Sequence, residues 1–327
     1  MNQQPPRTVF ALMGPTASGK TELVIQLADR FNLAPISVDS AMVYRGMDIG
    51  TAKPDANVLH KCPHALINIL DPEEDFSVGD FVQQADAAVV EALNLGKTPL
   101  LVGGTMLYFK RFRDGIAKLP GRDPEIRSEL RQQAEDKGTR HLHSELKQVD
   151  PTTAGRIHPN NYSRIERALE VYKLSGRTMS EYLKAQPQAS VSHRVRCNYI
   201  EISIANLSRP ELHNRIESRV HNMLALGFVD EVKTLMQRPR LSLKAMSMRA
   251  VGYRQVWKHL TMSSDALIDT PTLDLIVAGT RQLARRQLTW LRNWQSDAQH
   301  VSVQTPDAFD VVARLLQNYD VPQRSVS

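Results

Sequence analysis

Residues 14–21 read Gly14-Pro15-Thr16-Ala17-Ser18-Gly19-Lys20-Thr21, a complete G-x-x-x-x-G-K-[ST] motif. The motif follows an apolar run, Val9–Met13, and precedes a helical pattern from Glu22 to Phe31. A strand, a glycine-rich turn and a helix in this order are the context in which the motif builds a phosphate-binding loop. Backbone N–H groups and the Lys20 ammonium of such a loop surround a di- or triphosphate at the N-terminus of the helix.

The pattern around this loop predicts an α/β fold with a parallel sheet flanked by helices. Strand and helix patterns alternate through the first hundred residues, a signature of βα units. The segments are Val9–Met13, Thr21–Phe31, Pro35–Val38, Val78–Leu95 and Pro99–Val102. A further strand is predicted over Tyr199–Ala205, where Ile200, Ile202 and Ile204 alternate with other residues.

Between about Leu119 and Gln186 the patterns are purely helical, which predicts an all-helical subdomain inserted into the sheet domain. Asp123-Pro124 is a helix start and Gly138 a helix stop. The predicted organisation is a phosphate-loop core over 1–117 and 195–320, a helical insertion over 118–194, and a disordered tail over 321–327. The remaining predicted core elements are helices from Ser208 to Leu226, Val251–Leu260, Thr272–Trp294 and Ala308–Tyr319, with an edge strand at Val301–Val303.

Composition narrows the class of protein. The chain has 327 residues, 42% hydrophobic residues and a net charge of +6. No apolar run reaches the length needed to cross a bilayer, and the polar N-terminus does not read as a signal segment, so we expect no membrane association. The two cysteines, Cys62 and Cys197, are far apart, which argues against a disulfide framework and favours the cytoplasm. The net positive charge favours a polyanionic partner.

In most phosphate-loop nucleotidases, an apolar strand ends in an aspartate that helps to hold Mg²⁺. In this sequence, the acidic residue follows a different strand from the best candidate. The apolar run Thr98–Val102 ends in Gly103-Gly104-Thr105, with no acid, whereas Pro35–Val38 is followed by Asp39. In an open parallel sheet, the carboxyl ends of the strands carry the ligands. Asp39 is therefore a candidate functional residue, the alternative being a cap for the segment after it. The long strand-poor stretch from Asp39 to Val78 is typical of a functional loop.

Thr280–Trp294 reads as a basic helix without acidic residues. Arg281, Arg285 and Arg292 fall on one stripe, with Arg286 beside it. Such a run is commonly a solvated face. Interleaved arginine, glutamine and threonine also suit contacts to RNA phosphates and bases, so both interpretations stay open.

His213, Glu217 and His221 have the spacing of a metal stripe on the helix that follows Ser208. Arg215 and Arg219 on the same helix would repel a cation, so a solvated face is the preferred interpretation. The two arginines are instead candidates for binding an anion.

Several motifs together resemble those of one family. They are Gly14–Thr21, Asp39–Gly46 with Gly50–Pro54, Gly103–Tyr108, Arg156–Asn160, Arg167–Val171, Val251–Gln255, Thr280–Gln282 and Arg285–Gln287. The chain resembles the bacterial tRNA dimethylallyltransferase family over nearly its whole length. This resemblance implies transfer of a dimethylallyl group from dimethylallyl diphosphate to N6 of the adenosine at position 37 of tRNAs, next to the anticodon.

The resemblance also implies roles for individual residues. Asp39 would be the general base, and Thr16 and Lys20 would hold diphosphate oxygens within the loop Gly14–Thr21. Thr21 would help to place Mg²⁺, the implied cofactor, and Arg219 would contact the diphosphate. The implied partners are the anticodon stem-loop of tRNA and dimethylallyl diphosphate, with the enzyme acting as a monomer.

The same resemblance implies a larger set of residues that touch tRNA. These are Asp39, Ser40, Ala41, Met42, Thr105, Arg127, Ser163, Arg164, Ile165, Glu166, Arg167, Arg249, Ala250, Val251, Gly252, Tyr253, Arg254, Thr280, Arg281, Gln282, Leu283, Ala284, Arg285, Arg286 and Gln287.

Two other functions remain compatible with the phosphate loop. A small-molecule kinase of the nucleotide type would turn over ATP and would have no use for the basic helix. A nucleotide-dependent RNA-binding switch would bind nucleotide and RNA without forming a covalent product.

Overall fold

The computed structural model describes residues 7–185, 190–204, 208–263, 267–296, 299–303 and 307–324. The chain divides into two compact units. Unit 1 comprises Met1–Asp114 with Ser190–Ser327, and unit 2 comprises Gly115–Ala189. The predicted insertion, 118–194, differs from unit 2 at both ends. In particular, helix Val191–Arg194 belongs to unit 1, where Arg194 forms a bidentate ion pair with Asp86.

Unit 1 contains a five-stranded parallel sheet, as the strand patterns predict. The strand order is β2-β3-β1-β4-β5, so the strand before the phosphate loop is central. The strands are β1 (Thr8–Met13), β2 (Leu33–Val38), β3 (Thr98–Gly103), β4 (Asn198–Ile204) and β5 (Gln299–Val303). Ala205, the last residue of the predicted fourth strand, lies outside the described residues.

Helices cover the sheet and form unit 2. The helices are α1 (Lys20–Arg30), α2 (Ala56–Lys61), α3 (Val78–Asn94), α4 (Met106–Asp114), α5 (Pro124–Lys137), α6 (Thr139–Val149), α7 (Pro151–Ala154), α8 (Tyr162–Ser175), α9 (Met179–Ala185), α10 (Val191–Arg194), α11 (Arg209–Ala225), α12 (Phe228–Met236), α13 (Tyr253–Met262), α14 (Thr270–Arg292) and α15 (Ala308–Asn318). A 3₁₀ turn, Ser247–Arg249, precedes α13. Within the described residues, no helix combines the length and apolar character required to cross a membrane.

The core of unit 1 lies on both faces of β1. Residues 9–13 are fully buried, and their side chains alternate between two apolar clusters. Val9, Ala11 and Met13 belong to one cluster, while Phe10 and Leu12 belong to the other. Burial on both faces explains the unbroken apolar run, which is characteristic of strands in parallel sheets. The parallel pairing of β1 and β2 with β3 places the carboxyl ends of these three strands at one edge of the sheet.

Unit 2 is all-helical, and its start follows the predicted capping pattern. The Asp123 carboxylate accepts hydrogen bonds from the backbone N–H groups of Glu125 and Ile126, and Pro124 is the first residue of α5. Gly138 ends α5 with a φ of 84°. The unit has its own apolar core, built from Leu130, Leu142, Leu146, Ala154, Ile165, Ala168 and Leu169.

The structure of residues 321–324 contradicts the prediction of a disordered tail. Residues 321–324 run beside the end of α1, where the Pro322 carbonyl accepts from the Asn32 amide at 2.7 Å. The Arg324 amide donates to the Arg30 carbonyl at 2.9 Å, and Val321 is buried. The predicted disorder is therefore wrong for 321–324, because these residues satisfy backbone groups at the helix end. Residues 325–327 lie outside the described residues.

Candidate active site

The phosphate loop joins β1 to α1, as the motif predicts. Its backbone requires glycine at Gly19, which has a φ of 84° and precedes the first residue of α1. The Gly14 amide donates to the Gly103 carbonyl at 3.3 Å and links the start of the loop to the end of β3. The free N–H groups at the start of a helix favour an anion at this position.

Lys20 folds back over the loop. Its Nζ donates to the Pro15 carbonyl at 2.6 Å and to Ser18 Oγ at 3.2 Å. Burial and the nearby charge of Arg219 lower the pKa of Lys20 to about 7, although the Asp39 carboxylate acts in the opposite direction. An anion beside Nζ would favour the ammonium form, since an opposite charge stabilises the charged state of a lysine.

Asp39 directly follows β2, at the edge of the sheet that carries the loop. Its Oδ1 accepts hydrogen bonds from the amides of Ala41 at 2.8 Å and Met42 at 3.2 Å. The carboxylate therefore caps the turn after it and also lines the cavity that contains the loop. Capping the turn and lining the cavity are compatible, because both capping hydrogen bonds end on Oδ1.

A buried glutamine connects the loop to β3. Gln287 on α14 accepts from the Thr16 amide through Oε1 and donates to the Gly104 carbonyl through Nε2, both at 2.9 Å. A Cβ on Gly104 would stand 2.3 Å from Gln287 Nε2, so only glycine permits this approach. The side chain is 8% exposed. An amide is required here because one partner donates and the other accepts.

Arg219 on α11 lines the same cavity. Its guanidinium donates to the Thr51 carbonyl at 3.1 Å, and burial lowers its pKa while Asp39 raises it. The loop that contains Thr51 is held by Glu231. The carboxylate of Glu231 accepts from the amides of residues 48, 49 and 50 and from the Tyr253 hydroxyl at 2.6 Å. Glu231 therefore holds residues 48–50 in place, next to the part of the loop that lines the cavity.

These groups line one cavity of about 1340 Å³. Its polar lining includes Thr16–Thr21, Asp39 and Arg219, and its apolar lining includes Met42 and Ile276. A cavity of this size exceeds what a small diphosphate needs and leaves room for a second, larger group. The arrangement places the phosphate loop with Lys20, the Arg219 guanidinium and the Asp39 carboxylate around a common space.

The IPP transferase family model matches residues 42–294, a span that covers most of the chain and begins after the phosphate loop. The chain belongs to the IPP transferase family. Among solved structures, this transferase is similar to the full-length tRNA isopentenylpyrophosphate transferase from Bacillus halodurans. That enzyme is 34% identical, with 96% of each chain covered and a TM-score of 0.64.

Two further structures are similar to the transferase. The tRNA delta(2)-isopentenylpyrophosphate transferase from Staphylococcus epidermidis is 30% identical over 95% of this chain and 99% of that one, with a TM-score of 0.63. A eukaryotic dimethylallyltransferase, captured acting on tRNA, is 23% identical and has a TM-score of 0.78 over 98% of this chain and 81% of that one. At that identity the likeness concerns the fold.

Most of the implied tRNA contacts in unit 1 lie on the cavity of the transferase, but not all are accessible. Those that line the cavity are Asp39, Ser40, Ala41, Met42, Thr105, Arg249, Ala250, Val251, Gly252, Thr280, Leu283, Arg286 and Gln287. Tyr253 is fully buried against Phe228, and Ala284 is 1% exposed. Their side chains support the site from behind and do not present a surface to RNA.

The arginines of α14 in the transferase differ in exposure and in their contacts. Arg281 pairs with Glu217 at 2.9 Å, so it is committed to α11. Arg285 and Arg286 are exposed, as is Gln282. Arg254 on α13 is also exposed, and its guanidinium lies 3.4 Å from the Leu243 carbonyl.

In unit 2, the implied contacts are partly used for internal packing. Arg127 and Arg167 both bind the fully buried Glu170, with Nε of Arg127 at 2.7 Å and Nη1 of Arg167 at 2.6 Å. Burial raises the pKa of Glu170, but the hydrogen bonds from the two arginines outweigh it and lower the pKa to about 2. Ile165 and Glu166 are buried. Ser163 and Arg164 are exposed on α8.

Sequence reasoning missed three parts of the site. The glutamine bridge of Gln287 was assigned only to RNA contact, although the residue also fixes the phosphate loop. Glu231 carried no motif, and its role depends on three amides distant in sequence. Trp290 also lines the cavity, and no sequence motif marked it as part of the site.

Proposed function

We propose that the transferase moves the dimethylallyl group of dimethylallyl diphosphate onto N6 of adenosine 37 of tRNA. The observation that carries this proposal is the shared cavity of the phosphate loop, Arg219 and Asp39. A transfer of this kind needs an anion site for the leaving group and a base for the nucleophile, separated by an apolar space. Family membership and the similar tRNA-modifying structures support the same reaction.

The diphosphate binds at the phosphate loop. The N–H groups at the start of α1, Lys20 and Arg219 surround the position where negative charge grows as the C–O bond breaks. Groups held in place before the reaction stabilise such charge most effectively, because they need no reorganisation. Gln287 contributes by holding the Thr16 amide in its position.

Magnesium is part of the proposal and fits the donor set. Mg²⁺ binds oxygen ligands and commonly takes few from the protein when a substrate supplies phosphates. The described residues offer no cluster of three acidic, histidine or cysteine side chains, whereas the Thr21 hydroxyl lines the cavity at the loop. Thr21 would hold the ion against the diphosphate, where its charge would neutralise that of the leaving group.

The reaction couples one bond formed to one bond broken. The N6 lone pair attacks C1 of the allylic group, the C1–O bond breaks, and diphosphate leaves with the electron pair. The amine is a weak nucleophile, so a base must remove an N6 proton as the C–N bond forms. Asp39 accepts that proton. Its Oδ1 is engaged by the amides of Ala41 and Met42, which leaves Oδ2 for the substrate.

The RNA approaches through the basic surface of unit 1. A base in a folded anticodon loop must leave its stack to enter the cavity, at a cost of a few kcal/mol. Exposed Arg285 and Arg286 offer phosphate contacts that offset this cost. We propose the anticodon stem-loop as the recognised element.

One incubation tests the proposal. Unmodified tRNA is mixed with the enzyme, Mg²⁺ and dimethylallyl diphosphate labelled in the allylic group, and a parallel reaction contains ATP labelled in its γ-phosphate. Label in the RNA from the first reaction supports prenyl transfer, and nuclease digestion should place it on the adenosine next to the anticodon. Transfer of label from ATP to a small acceptor would instead identify a kinase. RNA binding without covalent label would identify a nucleotide-dependent switch.

A further inference from the structure

The proposed reaction gives no role to one tryptophan that lines the cavity. Trp290 on α14 is 40% exposed and lines the cavity, as does Leu107 on α4, which is 42% exposed. The two helices are in contact. Exposed apolar side chains are ordinary when single, but these two share the rim of a site that must admit a nucleobase.

The Trp290 ring is supported from behind. The ring of Trp294 packs against it at a centroid separation of 6.5 Å and an angle of 54°, within the range of favourable aromatic pairs. Trp294 is itself fixed, because its Nε1 donates to Glu201 Oε2 at 2.9 Å and the Arg113 guanidinium lies 5.0 Å from its ring centroid. Glu201 is fully buried on β4. The exposed ring is therefore backed by a residue that is anchored to the sheet.

The charge around Trp290 selects an anionic partner. Arg285, Arg286 and Arg292 are exposed on the same helix, and the sequence from Thr280 to Arg292 contains no acidic residue. Arg286 also lines the cavity. An aromatic ring flanked by arginines is the combination that binds single-stranded nucleic acid, with bases on the ring and phosphates at the guanidinium groups.

We propose that Trp290 is a stacking platform for an unpaired base of the anticodon loop, adjacent to the adenosine that enters the cavity. The inference rests on the proposed function and deepens it by naming the surface that holds the loop open. When the target base leaves the loop, its neighbour loses a stacking partner, and the Trp290 ring replaces that partner. The platform acts on RNA binding and leaves donor binding to the phosphate loop.

The direct test compares three variants in the labelled transfer reaction. Trp290→Leu should raise KM for tRNA by about 5- to 100-fold, since loss of one base–aromatic stack has this order of effect. Trp290→Phe retains a ring and should restore most of the affinity. Leu275→Ala removes an apolar side chain that is 61% exposed on the same helix but outside the cavity lining, and it should leave KM unchanged. The affinity for inorganic diphosphate should be the same in all three.

A second measurement separates stacking from a structural effect. Stem-loops with an abasic site at each loop position are titrated against wild type and Trp290→Leu. One abasic position should weaken binding to wild type and have little further effect on Trp290→Leu, because both changes remove the same contact. The stem-loop with all bases present should quench wild-type tryptophan fluorescence, and the same abasic site should remove most of that quenching.

The outcomes distinguish this inference from the proposed function. If wild type transfers no label to tRNA, the proposed function fails. If wild type is active but Trp290→Leu has wild-type KM, or no abasic position shows coupling to Trp290, the platform is refuted while the reaction stands. Should Trp290→Leu fail to fold, wild-type quenching by the intact and abasic stem-loops decides the question alone.

Discussion

Replacing Gln287 by methionine tests how the phosphate loop is held. Methionine has a similar length and volume but removes both hydrogen bonds, from the Thr16 amide and to the Gly104 carbonyl. Because Gln287 is 8% exposed, water does not readily replace the lost partners. Gln282→Met on the same helix is the matched control, since Gln282 is exposed.

The expected cost follows from the two bonds. A hydrogen bond contributes about 1 kcal/mol net, and a buried group left without a partner costs about 1–3 kcal/mol. Gln287→Met leaves two such backbone groups without a partner, so the cost is about 2–6 kcal/mol, against a native stability of about 5–15 kcal/mol for a typical protein. At about 2–4 °C per kcal/mol in a large domain, the unfolding midpoint should fall by about 4–24 °C. Misplacement of the Thr16 amide should weaken diphosphate binding by about tenfold.

Thermal unfolding followed by circular dichroism and calorimetric titration with inorganic diphosphate measure these two effects. Gln282→Met should match wild type in both. If Gln287→Met also unfolds within about 1 °C of wild type and binds diphosphate equally well, the glutamine bridge does not organise the loop, and our account of its role is refuted.

Three further changes have expected outcomes. Arg219→Ala should weaken diphosphate binding by about 1.5–3 kcal/mol, the value of a charge-assisted hydrogen bond, and calorimetry that shows unchanged affinity would remove Arg219 from the anion site. Glu231→Gln replaces a carboxylate that accepts three amides and a hydroxyl, so hydrogen exchange at residues 48–50 should accelerate; unchanged protection would contradict this. The pKa of Glu170 is lowered to about 2 in the folded protein. The stability that its ionised carboxylate provides is therefore fully present above the unfolded pKa of 4.5 and is lost as the pH falls towards 2. In Glu170→Gln, the free energy of unfolding measured by urea titration should therefore fall less between pH 4.5 and pH 2, by up to about 3 kcal/mol. The same pH dependence as wild type would show that Glu170 is not the group responsible.

The sheet and the phosphate loop were predictable because their signals are local. An apolar run, a glycine-rich turn and an amphipathic helix specify a βα unit within about 25 residues, and capping residues such as Asp123 and Gly138 mark helix ends on their own. Asp39 was identified by its position after a strand, since parallel strands bring their carboxyl ends to one edge.

The parts that were missed depend on contacts distant in sequence. Gln287 meets Thr16 across 271 positions, and Glu231 meets the amide of Asp48 across 183. No local pattern marks a glutamine that will face a backbone amide rather than solvent. Tyr253 is the opposite case, because the sequence suggested a surface role for a residue that is buried. The family resemblance implied RNA contact throughout Arg249–Arg254, whereas the Tyr253 ring is fully buried.

Single-turnover transfer by Asp39→Asn tests the central claim most directly. Asparagine keeps an oxygen for the amides of Ala41 and Met42 but cannot accept the proton from N6. Removing a general base lowers the rate by about 10²–10⁴, so the variant should transfer labelled dimethylallyl to tRNA that much more slowly. Asp39→Ala should show a similar loss, and both variants should retain wild-type affinity for tRNA and diphosphate. Transfer by Asp39→Asn at the wild-type rate would contradict the assignment of Asp39 as the base.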